Sequence, residues 1–134
     1  GILGAWPTHV MFDLPVLQTS MTARTGIGQW TGEAIATFGL ILTIIGTARH
    51  RPQWTPASVA LYIAAAYWFT SSTSFANPAI TIARSMTNSF SGIAPADAPM
   101  FIVSQLLGAL LAASIGGQLF AQPVSEPSPQ SPGN

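Results

Sequence analysis

The chain has 134 residues, no net charge, no cysteine and only 6% charged side chains, against about 25% in an ordinary soluble domain. Its mean hydropathy is +0.44, so lipid is the solvent for much of it. Arginine without lysine leaves no basic patch for nucleic acid, and the lack of cysteine excludes disulfides and thiolate metal sites.

In chain order, residues 1–28 read as the end of a membrane helix (1–6) and an outer connecting loop, broken by Pro7, Pro15, Gly26 and Gly28. Residues 29–48 form a full span, near the roughly 20 residues that a hydrocarbon core requires. Gly32, Gly39 and Gly46 recur at every seventh position and make one smooth stripe for a close helix neighbour. Arg49-His50-Arg51-Pro52 ends the span and marks the cytoplasmic side, with Arg24 across the membrane. A second span covers residues 55–69 and a third covers 100–120. In the third, Ser104, Gly108, Ala112 and Gly116 are spaced by four and let another backbone approach closely. Residues 121–134 are rich in Pro and Ser and read as a disordered, cytoplasmic tail.

Between the second and third spans lies the most informative run, Ser74-Phe-Ala-Asn-Pro-Ala-Ile-Thr-Ile-Ala-Arg-Ser85. Asn77 is a strong N-cap and Pro78 suits the first helical position, which predicts a half-helix over residues 78–90. No charged residue occurs from Gln53 to Ala83, so this helix starts at membrane depth. Irregular backbone is tolerated there only where protein covers it or it lines a watery cavity. The Asn77 amide can donate inward while its carbonyl oxygen caps the helix. A pore-lining helix start is the reading this supports.

Glu33 stands in the first span. It either sits wet at the interface or faces inward and accepts N–H bonds from non-helical backbone, with residues 70–76 the obvious client. Arg84 shares a face with Asn77; it either offers donors to solutes at a pore mouth or snorkels outward or pairs with Asp97. His9 and His50 have no partner at metal spacing and read as solvated surface residues. Asp13, Asp97 and Glu126 share no helix face, so no acid–base pair, metal site or cofactor site is expected, and the chain does not read as an enzyme.

These residues bear a resemblance. Glu33-Ala-Ile-Ala-Thr-Phe-Gly39, the Asn77-Pro78-Ala79 box and Gln105-Leu-Leu-Gly-Ala109 together resemble one half of an aquaporin, the major intrinsic protein family. The resemblance covers about residues 1 to 120 and implies an all-α membrane fold. Residues 29–120 would be the second of two inverted repeats, with three membrane helices and one re-entrant half-helix. It further implies that Asn77 is the central pore asparagine, with Pro78 and Ala79 meeting the other repeat's box, and that Glu33 holds the loop before the half-helix. Ala65 falls where water-selective members usually carry a histidine, and Ile80 where the family usually carries an arginine; Arg84 appears one turn later. The run around Tyr67-Trp68-Phe69 and the box is similar to a bacterial branch, some of whose members are associated with arsenic resistance.

The implied function is a passive channel for water, glycerol or neutral arsenous acid in a bacterial inner membrane, with lipid as its surroundings. Three spans and one half-helix cannot close a pore, so a missing N-terminal repeat is expected as partner, and a homotetramer as the assembled form. A non-conducting, truncated remnant is the alternative. A membrane-embedded enzyme would need titratable groups converging in the bilayer, which Glu33 and Arg84 do not supply.

Overall fold

The computed structural model describes residues 1–120. It contains five α-helices, α1 (Ile2–Met11), α2 (Ile27–His50), α3 (Thr55–Phe69), α4 (Pro78–Ser85) and α5 (Ala98–Leu119), with a 3-10 turn at Pro52–Trp54. No strand occurs among the described residues. The tail expected over 121–134 lies outside them. At 1.5 Å per residue, α2 and α5 extend about 36 and 33 Å, enough to cross a bilayer. Both are also apolar enough to do so. The chain is an all-α membrane protein.

α2 and α5 form the most extensive helix pair. Ser104, Gly108, Ala112 and Gly116 are all buried, so the ladder of small residues lies on one packed face. A Cβ on Gly108 would run into the Ala34 carbonyl of α2, and one on Gly116 would press Ile45 and Leu42. Arg49 closes the far end of this pair, donating to the Gly116 and Gly117 carbonyls. The stripe of Gly32, Gly39 and Gly46 does not serve one helix. A Cβ at these positions would meet Ser71 and Ser72, the Tyr62 ring of α3, and Phe120 respectively. Each glycine admits a different polar or aromatic neighbour, because the partners of α2 change along its length.

The N-terminal helix corrects the expected loop boundary, since α1 continues through Pro7 to Met11. Proline lacks an N–H and so removes one helical hydrogen bond, but the turns on both sides hold. Thr8 bonds back to the Gly4 carbonyl. The helix stops where Asp13 takes a left-handed φ of 53°. There Leu14 N–H reaches the His9 carbonyl and Asp13 N–H the Val10 carbonyl, the paired bonds of a Schellman ending.

α4 is also shorter than the expected 78–90, ending at Ser85. Beyond it, the Thr87-Asn88-Ser89 run bonds to the connecting loop instead of continuing the helix. Asn88 accepts from Met21 N–H and donates its own N–H to Gln18, while Ser89 accepts from Thr22. Ser20 N–H reaches the Ser85 carbonyl and Ala94 N–H the Thr22 carbonyl. A core of Phe75, Ile93 and Phe101 lies beneath, with the Phe75 and Phe101 rings edge to face at 5.2 Å.

Candidate functional site

The segment from Ser72 to Thr81 is organised by one carboxylate. Glu33 is fully buried and accepts four hydrogen bonds. Its Oε1 receives the Ser72 hydroxyl at 2.7 Å and Phe75 N–H at 2.8 Å. Its Oε2 receives Ala76 N–H at 2.9 Å and Gln105 Nε2 at 2.6 Å. Of the two readings of Glu33, the geometry therefore has it facing inward, toward residues 72–76. To present successive N–H groups on one side, Thr73, Ser74 and Ala76 take φ values of 63°, 48° and 49°. Left-handed backbone at such residues costs on the order of 1–2 kcal/mol each, which the charge-assisted bonds to Glu33 offset. The carbonyls of residues 73–76 accept no hydrogen bond among the described residues. Glu33 thus takes the Phe75 and Ala76 donors and the Ser72 hydroxyl takes the Ser74 donor, while the carbonyls of this run are left without one.

Asn77 ends this run and caps α4. Its Oδ1 accepts from Ala79 N–H at 2.8 Å and Ile80 N–H at 3.4 Å, with Pro78 at the first helical position. The residue is exposed, and its Nδ2 makes no hydrogen bond among the described residues. Ala79 is exposed too, while Pro78 is half-buried. Ile80 is half-buried and packs on the Phe75 cluster. α3, which carries Ala65, packs on α2, and its backbone does not closely approach that of α4. Ala65 is exposed on α3, and Ala66 beside it is fully buried.

Arg84 links α4 to α3, donating from Nη2 to the Tyr67 hydroxyl. Its guanidinium lies 4.3 Å from the Phe75 ring centroid, and its Nη1 is buried without a partner. It does not pair with Asp97, whose oxygens accept Arg24 N–H and the Thr25 hydroxyl. Arg84 also lines a cavity of about 660 Å³ with Thr8, His9, Ile80, Thr87 and Ser89, between α1 and the C-terminal end of α4.

Two residues with larger roles than the sequence suggested stand around the site. Arg24, a marker of topology in sequence, is 5% exposed. It donates to the Gly92, Ser72 and Phe90 carbonyls from Nε, Nη1 and Nη2. Burial first, and then the like charge of Arg84, hold its pKa below the usual arginine value, against the pull of Glu33. His9 corrects the expectation of a solvated residue: it is 1% exposed. Its Nδ1 meets the Val16 carbonyl and its Nε2 the Thr87 hydroxyl. No spacing rule marks either residue. Gln105 and Thr81 had a signal, since a polar side chain inside an apolar span needs an internal partner.

The major intrinsic protein family model matches residues 54–128, more than half of the chain. The chain belongs to the major intrinsic protein family. Aquaglyceroporin AqpS of Rhizobium meliloti (strain 1021) is 54% identical to it over 114 residues, 85% of this chain and 49% of that relative. This major intrinsic protein thus spans about half the length of the curated relative it matches. No solved structure matches it.

Proposed function

We propose that this chain forms one half of a passive channel for water and small neutral solutes. The observation that carries the reading is the polarity of residues 73–77. Glu33 takes up the Phe75 and Ala76 N–H groups, while free carbonyls and the Asn77 amide remain for a file of hydrogen-bonding solutes. Asn77, Pro78 and Ala79 form the centre of the passage, Ile80 and Ala65 its narrowing, and Arg84 its outer donor. Ile and Ala in place of arginine and histidine leave a wider, less polar constriction. That favours glycerol, or neutral arsenous acid, beside water. The positive end of α4 opposes cations.

In this reading a second, inverted repeat supplies the opposite wall, and the assembled channel is a homotetramer in a bacterial inner membrane. The test joins this chain to the half of the Rhizobium meliloti relative that it does not match, and reconstitutes the product in liposomes. Stopped-flow light scattering should show water and glycerol permeability well above empty liposomes. A fusion that inserts and remains monodisperse yet conducts neither overturns the proposal.

A further inference from the structure

We infer that Gln105 is a positioning residue for the Asn77 turn, acting through Glu33 and Thr81, and that it thereby tunes solute selectivity; this rests on the channel reading above. Gln105 is 1% exposed, inside an otherwise apolar helix. Both hydrogens of its Nε2 are used, one on Glu33 Oε2 at 2.6 Å and one on Thr81 Oγ1 at 2.9 Å. The carboxylate is acceptor-only, so chemistry fixes which end of the amide faces it. The single hydrogen of the Thr81 hydroxyl goes on to the Asn77 carbonyl at 3.0 Å.

The two flanks of Asn77 therefore converge on one carboxylate. Upstream, Phe75 and Ala76 bond to Glu33 directly. Downstream, the α4 backbone is tied to it through Thr81 and Gln105. Asn77 Oδ1 is consumed by the helix cap, so this backbone alone decides where its Nδ2 points. Packing does not require the amide: Gln105 Oε1 is buried without a partner, a cost that an apolar side chain of equal length would avoid. What the amide supplies is direction.

The experiment uses the fused channel described above, with glycerol and water permeabilities measured at matched channel amount. Gln105→Met preserves volume and removes both donors, and Thr81→Val removes the relay hydroxyl. Each should move the glycerol-to-water ratio by about threefold or more, because small displacements of a positioned group have large effects. Thr81→Val should add nothing in the Gln105→Met background, and Thr81→Ser should restore the parent ratio. Gln105→Glu sets two carboxyls at hydrogen-bond distance, where they share one proton. Its ratio should return toward the parent value as pH falls and depart from it as pH rises, with a much smaller change in the parent.

Parent-like ratios in both Gln105→Met and Thr81→Val, or a pH profile of Gln105→Glu that matches the parent, overturn the inference. If Gln105→Met does not fold, the Thr81→Val and Thr81→Ser pair decides alone, and equal ratios in the two overturn it. A parent fusion that conducts nothing sinks the channel reading and this one together. A conducting parent with unmoved variants sinks only this one.

Discussion

The Nε2 of His9 lies 2.8 Å from the hydroxyl of Thr87, 78 residues later in the chain. The other ring nitrogen faces the Val16 carbonyl at 2.9 Å, which must be met by an N–H. In the neutral ring Nε2 is then the acceptor, and Thr87 donates. One imidazole thus joins the end of α1, the connecting loop and the segment beyond α4.

Replacing that ring tests the joint. His9→Ala leaves a buried carbonyl and hydroxyl without their partner, which should cost about 1–3 kcal/mol. Thermal unfolding in detergent should fall by several degrees relative to the parent, whereas His50→Ala, at an exposed position where the ring meets Phe120 edge-on, should lower it less. Equal melting of His9→Ala and the parent would show that the joint carries no stability.

Glu33→Gln keeps the shape and removes one of two acceptor oxygens. Its amide NH2 must then face two of the donors now bound by the carboxylate. The expected loss is about 2–4 kcal/mol, with permeability falling by at least about tenfold as the left-handed residues relax. Unchanged permeability at equal insertion would separate this carboxylate from the conducting state.

Gly108 and Gly117 make a matched pair of probes on α5. A Cβ at Gly108 meets the Ala34 carbonyl, while at Gly117 it meets nothing within 4 Å. Gly108→Ala should destabilise by about 1–3 kcal/mol as α2 and α5 are forced apart. Gly117→Ala should be neutral or stabilise by up to about 1 kcal/mol through helix propensity. Fluorescence-detected size exclusion after a heating series would rank them; the reverse order contradicts the packing of α2 on α5.

Ile80→Arg places a guanidinium at the proposed narrowing. The glycerol-to-water permeability ratio of the fused channel should fall, because a smaller and more polar passage penalises the larger solute first. A ratio equal to the parent's would remove Ile80 from the filter.

How much of this was readable in the sequence depends on the range of each signal. The cap of α4 acts within one turn, so Asn77 and Pro78 announce it directly. The small-residue ladder on α5 is likewise local and periodic. The partners of Glu33 lie 39 to 72 residues away, yet a buried carboxylate and an irregular backbone run at one depth leave few other pairings. His9 and Arg24 were illegible for the opposite reason. Each falls in the stretch that reads as a broken loop, where exposure is the ordinary outcome, and only the folded chain brings a carbonyl and a hydroxyl to His9 and three carbonyls to Arg24. The lengths of α1 and α4 were misjudged because the deciding bonds, at Asp13 and at Asn88, are made after the chain has already turned.

The three carbonyls gathered by Arg24 bear on how this molecule can be engineered. The stretch before α2 is not slack: it is bolted to the residues on both sides of α4. An epitope tag or fluorescent protein inserted between Gln18 and Gly26 should therefore collapse the re-entrant segment. The turn around Gln53, exposed and on the other side of α2, is the place to put a label.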